Sequence, residues 1–492
     1  DRLAFDLGPV TPFLAGTISL VQVEDGQWYP NIVLSGGVEG DLTPDIVKAY
    51  WPLAAGEGAR EWVETGIIAG RFYNAAIDFN VSAESIAARD LPNDNLTISF
   101  DFENALIYYI TTMSPLEAAR GRGVLYGNSF EVELDSGRIG DLRVSEGSVL
   151  FPRLNPKGAM ARYAGYVEGE ASDILALIDE EPLFFVTNYG IDPATVGGAG
   201  GIRFDIRRAM LSDVEPEDIP FEISGEFSDV TQQIPDTNYA LTNGLVRIDA
   251  NQDLLTAEGD ALFADTAVHI IWQEDLTAED DAASTTIEVS AQLGARALDA
   301  FGIPARRFLD GHVLLEARAI SNGLDVRSID VDANLIDATL EAPGGVWVKA
   351  AGTPGMAGFT ASSNDAGNFV LEEFVAESEG LDIQARGEIT PQGRLVSVDT
   401  NRVLIEGFMD MSGSLSAPVD REQPLQVRLE GAYLDARELI PRLMSMGSDD
   451  ANASDGEVSS EVADADTVDQ AGVPLSLEVN LSRLMVADDN IL

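Results

Sequence analysis

The dominant pattern along this chain is an alternation of apolar and polar residues with a period of two. Ile98, Phe100 and Phe102, for example, alternate with Ser99 and Asp101. Because successive side chains of a strand point to opposite faces, each such run predicts a strand with one apolar face and one wetted face. One-sided strands of this kind are typical of antiparallel sheets. The apolar positions that form the candidate functional surface are Ile98, Phe100, Phe102, Phe130, Val132, Leu134, Phe204, Ile206, Ile287, Val289, Leu293, Val427 and Leu429.

Gly, Asn and Asp interrupt these runs at short intervals and predict tight turns. The predicted hairpin turns are Tyr126-Gly127-Asn128, Asp135-Ser136-Gly137, Thr242-Asn243-Gly244 and Ser321-Asn322-Gly323. A glycine run at 197–201 also predicts a turn, ahead of a strand at Ile202 to Arg207, because it lacks the Lys-Ser/Thr ending of a phosphate-binding loop. Turns at this spacing predict a meander of strands that pair with their sequence neighbours.

Helix signals are few and short. Thr43 followed by Pro44 is a helix start, with a capping hydroxyl and a proline at the first helical position. Helices so sparse do not fit alternating βαβ units. The other predicted helices are Ala59 to Thr65, Asp173 to Asp179, Ala295 to Phe301 and a segment that begins near Asp435 with a capping-box spacing to Glu438.

The length of 492 residues exceeds what one compact core supports, so we expect several domains or one extended architecture. We predict a mostly β fold: an elongated, curled antiparallel β-sheet that forms an apolar groove, with a few short helices. About two dozen strands spaced by about 4.8 Å would extend for about 100 Å, and an open sheet of that size must curl or split. On the pattern alone, the packed interior of an ordinary β-sandwich is the alternative.

A change in composition near the C-terminal end predicts a boundary between segments of the chain. From 448 to 472 it consists of Ser, Asp, Ala, Glu and Val with no Lys or Arg, which predicts a disordered acidic insertion. We therefore expect a β-groove segment at 1–240, a continuing segment at 241–447, the insertion at 448–472 and the start of a further β segment at 473–492. Strand-like sequence at both ends leads us to expect a piece of a longer chain.

The charge excludes some classes of function. There are 83 acidic and 30 basic residues, a net charge of -53, so the chain repels nucleic-acid phosphates and we predict no nucleic-acid partner. Anionic bilayer surfaces are disfavoured for the same reason. There is no cysteine, which excludes disulfides and thiolate metal sites.

Nothing in the sequence forms a recognisable catalytic or metal-binding motif. The two histidines, His269 and His312, lie in a strand-like run and after a turn-like Asp-Gly pair. Structural or surface roles fit both better than catalysis. Carboxylates are too abundant to be informative as an acid-base pair. We predict no catalytic residues, no metal and no cofactor.

Several segments occur in an order that resembles the YhdP branch of the AsmA-like family. They are 49–53 (AYWPL), 59–63 (AREWV) and 66–70 (GIIAG), then 98–108, Gly121-Arg122-Gly123, 127–130 (GNSF) and 169–175 (GEASDIL). The likeness extends over about residues 40 to 440 and is stronger in its first part. The strong acidity and the insertion at 448–472 depart from the family's pattern.

The resemblance implies a repeating β-groove protein of the Gram-negative envelope. Such a protein would span the periplasm, be anchored in the inner membrane by sequence outside this segment, and carry phospholipid towards the outer membrane. Its partners would be phospholipid acyl chains and, in addition, envelope proteins. Two alternatives remain open: a scaffold or assembly factor for outer-membrane biogenesis that conducts no lipid, and a secreted adhesin or carbohydrate-active enzyme.

Overall fold

The structure is a computed structural model of the whole chain. It describes residues 2–24, 26–50, 65–89, 95–181, 183–189, 191–211, 213–215, 218–234, 239–279, 282–300, 303, 305–323, 325–342, 345–364, 366–390, 394–417, 424–437, 475–487 and 490–491. The chain forms two compact units. Unit 1 comprises 1–261 with 272–280, and unit 2 comprises 262–271 with 281–492. The predicted acidic insertion at 448–472 lies outside the described residues, and the predicted domain boundaries stay predictions.

Strands account for 66% of the described residues and helices for 10%, which confirms the predicted mostly β class. The strands of unit 1 are β1 (Arg2–Ala4), β2 (Thr11–Gln22), β3 (Trp28–Glu39), β4 (Ile67–Val81), β5 (Leu96–Ile107), β6 (Leu116–Tyr126), β7 (Ser129–Ile139), β8 (Leu142–Phe151), β9 (Met160–Glu170), β10 (Val196–Ala209), β11 (Phe221–Gln233) and β12 (Ala240–Asn251). Two strands contribute residues to both units, β13 (Leu254–Phe263) and β14 (Thr266–Asp275).

Unit 2 continues with strands of similar length. They are β15 (Thr285–Gly294), β16 (Leu309–Asn322), β17 (Asp325–Asn334), β18 (Ala338–Glu341), β19 (Val348–Lys349), β20 (Gly355–Ser363), β21 (Phe369–Ser378), β22 (Leu381–Ile389), β23 (Leu395–Ile405), β24 (Met409–Ser416), β25 (Leu425–Asp435), β26 (Leu475–Leu481), β27 (Leu484–Ala487) and β28 (Asn490–Ile491).

Pairing follows the predicted antiparallel meander. In unit 1 each strand from β1 to β11 pairs antiparallel with the next one in the chain. In unit 2, β15, β16, β17 and then β20 to β25 pair in the same way. The pairing of β25 with β26 is parallel.

The helices are short, as predicted. At Thr43 the side-chain hydroxyl accepts a hydrogen bond from the Ile46 backbone N–H at 3.4 Å, as a cap should. The helices are α1 (Pro44–Tyr50), α2 (Ala83–Ala88), α3 (Ala171–Ile178) and α4 (Ala295–Ala300), with 3₁₀ turns at Thr187–Tyr189, Pro193–Thr195 and Ala305–Arg307. The predicted helix at 59–65 lies outside the described residues but for Thr65. Asp435 ends β25, and the predicted helix beyond 437 is likewise outside them.

Two of the four predicted turns are wrong. Gly127 and Gly323 do form turns, with φ of 49° and 54°. Gly137, however, lies inside β7 and pairs with Val144, and the turn comes three residues later at Gly140. Asn243 lies inside β12, where its φ of 53° accompanies a shift of register against β11 instead of a chain reversal.

The glycine run at 197–201 is also not a turn, because it belongs to β10. A Cβ at Gly200 would lie 2.2 Å from the Glu226 backbone oxygen, and one at Gly201 would lie 2.2 Å from the Tyr166 hydroxyl. These glycines therefore allow close approach of neighbouring groups within a strand, which the sequence pattern alone does not distinguish from a turn.

Candidate functional site

The eight predicted surface residues of unit 1 lie on one face of its sheet. Directly opposed residues of paired strands share a face. Ile98 pairs with Leu125, Leu125 with Phe130, and Phe130 with Phe151. These pairings therefore place apolar residues of β5, β6, β7 and β8 on one continuous face.

The face continues across the next three strands. Val149 of β8 pairs with Tyr163, Tyr163 with Ile206, and Ile206 with Phe221. Because Phe204 lies two residues before Ile206 on β10, it belongs to the same face. The structure thus brings together Ile98, Phe100, Phe102, Phe130, Val132, Leu134, Phe204 and Ile206 on a common surface, here called the apolar face of unit 1.

A row of aromatic rings crosses this face perpendicular to the strands. Its ring centroids are 5.8 Å apart for Phe72 and Phe100, 6.5 Å for Phe100 and Phe130, 6.2 Å for Phe130 and Phe151, and 6.0 Å for Phe151 and Tyr163. The row reaches from β4 to β9, which is five strand spacings or about 24 Å. We call these five residues the aromatic row.

Glycines make room for the rings. Phe100 pairs with Gly123, whose missing Cβ would lie 2.4 Å from the Phe100 Cζ atom. Phe204 pairs with Gly165, where the corresponding distance to Cζ is 3.0 Å. Each ring therefore lies over the neighbouring backbone instead of standing upright, and it presents a flat side to its surroundings.

Short elements cover one end of the face. In α3, Ala171 and Ile174 pack in a buried cluster with Leu142 and Val167, and Leu134 and Phe204 border that cluster. Phe102 is buried, with 3% of its surface exposed, in a second cluster with Phe72. The other seven predicted residues of unit 1 are only half-buried. The face is therefore partly open, and its open part contains Phe100 and Phe130 of the aromatic row.

Unit 2 has an apolar face of its own. Val289 pairs with Ala317, which pairs with Val331, which pairs with Phe359. Near the end of the sheet, Leu415 pairs with Val427. Four of the predicted residues there, Ile287, Val289, Val427 and Leu429, are half-buried. Leu293 differs, because only 1% of it is exposed, beside α4.

The opposite face of unit 1 is ionic. Arg162 and Asp205 form an ion pair at 2.7 Å, and Arg247 and Glu226 form another at 2.7 Å. The hydrogen bond from Arg162 holds the pKa of Asp205 below its usual range. A depression of about 720 Å³ is lined by charged groups such as Asp249 together with apolar ones such as Leu254. Charged groups in its wall make it a poorer site for hydrocarbon than the apolar face.

The described residues offer no evident catalytic arrangement. No group of three His, Asp or Glu side chains among them could hold a metal ion. His269 lies within β14, as predicted, whereas the Asp310-Gly311 pair before His312 is not a turn, because it lies within β16 and pairs with β18.

Sequence reasoning missed several residues of the apolar face. Phe72, Phe151 and Tyr163 complete the aromatic row, yet none was singled out. The predicted pairing of neighbouring strands could have found Phe151, because it pairs with Phe130, a residue already predicted for this face. A bulge at Asn74, with φ of 52°, shifts the alternation in β4 and hides Phe72 from a period-two search.

These features define a class of protein. A meandering antiparallel sheet with one partly open apolar face, an ionic opposite face and a few short helices is the architecture of an AsmA-like protein. A model of the family described as YhdP protein matches residues 12–491, and the chain belongs to this family. No curated protein and no solved structure matches the chain.

Family membership indicates a function of the lipid-transport type and an envelope protein. The family is not a known enzyme family. Among the described residues, no helix is both long enough and apolar enough to span a bilayer.

Proposed function

We propose that this protein carries phospholipid between the inner and outer membranes of a Gram-negative bacterium, in the periplasm and without catalysis. The observation that supports the proposal is the apolar face of unit 1, which crosses at least β5 to β11 and whose predicted residues, apart from Phe102, are only half-buried. Exposed apolar surface of this extent marks a binding surface.

Acyl chains have the dimensions and the chemistry that this face requires. The aromatic row extends for about 24 Å, whereas one leaflet of a bilayer's hydrocarbon core is about 15 Å thick. A single acyl chain can therefore lie along the row within one unit. Each methylene that leaves water contributes about 0.8 kcal/mol, so binding needs no specific polar contact. Binding that depends on area alone also permits sliding from strand to strand.

Site-specific photo-crosslinking in cells tests the proposal. A benzophenone amino acid at Val132 or Val289 should form adducts with phospholipid, because both side chains are half-buried on apolar faces. The same probe at Glu133, the next residue of β7 and exposed on the opposite face, is the matched control. We expect lipid adducts, detected by mass spectrometry, at least tenfold more frequent at Val132 than at Glu133.

Protein adducts alone at Val132 and Val289 would contradict lipid carriage and favour a scaffold for envelope assembly. Equal lipid capture at Val132 and Glu133 would show general lipid contact unrelated to the face. Circular dichroism of each labelled protein excludes unfolding as the cause of either result.

A further inference from the structure

A basic side chain lies on the apolar face of unit 1 at the end of strand β10. On β10, Phe204, Ile206 and Arg208 share a face because they are two residues apart. Arg208 pairs with Ala161 of β9 and is half-buried. In a chain with 83 acidic and only 30 basic residues, an arginine on an otherwise apolar surface is unexpected, and it is therefore a candidate binding group.

Arg208 is next to the last ring of the aromatic row. Tyr163 pairs with Ile206, so it is the diagonal neighbour of Arg208 on the same face. Burial raises the pKa of the Tyr163 hydroxyl, and the charge of Arg208 opposes that rise in pKa. The Tyr163 hydroxyl and the Arg208 guanidinium therefore interact electrostatically at the end of the aromatic row.

Two further cations lie in the adjoining loop. Arg153 and Lys157 belong to the segment between β8 and β9, and both are exposed. The Leu154 backbone N–H donates to the Asn128 backbone oxygen at 2.7 Å, and the Met210 backbone N–H donates to the Ala159 backbone oxygen at 3.0 Å. These bonds attach the loop to the start of β7 and the end of β10. The loop therefore lies at the same end of the strands as Arg208.

The three cations have no carboxylate partner in the described part of the chain. None of Arg153, Lys157 and Arg208 takes part in its ion pairs, although Arg207, the neighbour of Arg208, pairs with Asp205 on the opposite face at 3.4 Å. Asp213 and Glu215 follow β10 without pairing to them. The described part of the chain therefore leaves these cations available to an external anion.

We infer that Arg208, Lys157, Arg153 and the Tyr163 hydroxyl bind the phosphate of a phospholipid head group while its acyl chains lie along the aromatic row. This inference rests on the proposed function and adds a head-group site to it. Arginine binds phosphate through two parallel N–H donors, and such charge-assisted bonds are about twice as strong as neutral ones. Free inorganic phosphate has the same chemistry, but it would not use the adjacent rings.

The test compares a lipid with phosphate and a lipid without it. Wild type, Arg208→Gln and the Lys157→Gln/Arg208→Gln double variant are incubated with phosphatidylglycerol or with diacylglycerol that has the same acyl chains. Native mass spectrometry then gives the bound fraction of each lipid. We expect the double variant to bind phosphatidylglycerol on the order of tenfold more weakly and diacylglycerol as wild type does.

Arg207→Gln is the matched control, because it removes a neighbouring charge from the opposite face. It should change the affinity for neither lipid.

Titration of wild type with inorganic phosphate distinguishes a free-anion site from a lipid site. Phosphate binding as tight as phosphatidylglycerol binding would overturn the lipid assignment. Equal loss of both lipids in the Arg208 variants would mean a packing role, and no loss would mean no head-group site. If wild type binds neither lipid, the proposed function itself fails.

Discussion

The pairing of large rings with glycines distinguishes the residues of the apolar face from those of an ordinary strand. Phe100 occupies the space that a Cβ at Gly123 would take, and Leu134 lies 2.8 Å from the Cβ position of Gly147. A strand interior normally disfavours glycine, because it costs backbone entropy and packs poorly. Here the glycines allow the rings to lie flat, which makes the face smooth.

Gly123→Ala should therefore destabilise unit 1. The new methyl group would meet the Phe100 ring at 2.4 Å, and overpacking of this kind costs about 1–3 kcal/mol. Phe100→Leu in the same chain should recover part of that loss because it removes the ring. Gly294→Ala is the control, since its nearest neighbour would be 3.8 Å away. Denaturant unfolding measures all four proteins, and equal stability of Gly123→Ala and wild type would contradict the account.

At this scale the sequence predicted the faces of individual strands well. Ile98, Phe100 and Phe130 lie on the face that their alternation indicated. Phe72, Tyr163 and Arg208 could not be predicted, because bulges and neighbouring strands decide which residues they meet. The register of strand pairing decides whether these residues lie beside the predicted ones, and a single sequence does not give that register.

The short helices act as covers for parts of the sheet. Helix α3 begins directly after β9 and places Ile174, of which 2% is exposed, on the cluster around Leu142 and Val167. The sequence predicted this helix at Asp173 to Asp179, two residues late at its start. The prediction succeeded because the apolar spacing is strong, and its start was missed because Glu170 caps it without a side-chain hydrogen bond.

Ile174→Ala should lower the free energy of unfolding of unit 1 by about 2–5 kcal/mol, because it leaves a cavity under the helix. Ala176→Ser, at an exposed position of the same helix, should have an effect below about 0.5 kcal/mol. Thermal and denaturant unfolding measure both variants. A loss below 1 kcal/mol for Ile174→Ala would show that α3 is not part of the packed cover.

Turns are the element-scale feature that the sequence predicted least well. Asp135-Ser136-Gly137 and Thr242-Asn243-Gly244 have the composition of hairpin turns, yet both lie within strands. Gly137 is needed there because Leu116 occupies the space beside it, at 2.6 Å from the position of a Cβ. Composition gives the preference for a bend, whereas packing against another strand decides whether the bend forms.

For the molecule as a whole, the alternation of apolar and acidic residues separates two environments. The excess of acidic residues gives a net charge of -53 and favours a solvated surface. The apolar residues lie together on one face in each unit. The mostly β class, the antiparallel meander and the family followed from the sequence.

Acyl chains should contact the apolar face of unit 1 and not the opposite face. Methyl NMR with a phospholipid that carries a nitroxide on its acyl chain measures which face they contact. Val149 and Leu150 are adjacent in β8, with Val149 on the apolar face and Leu150, of which 37% is exposed, on the other. We predict strong broadening of the methyl signals of Val132 and Val149 and little broadening for Leu150. Equal broadening of Val149 and Leu150, or broadening of Leu150 alone, would contradict the account.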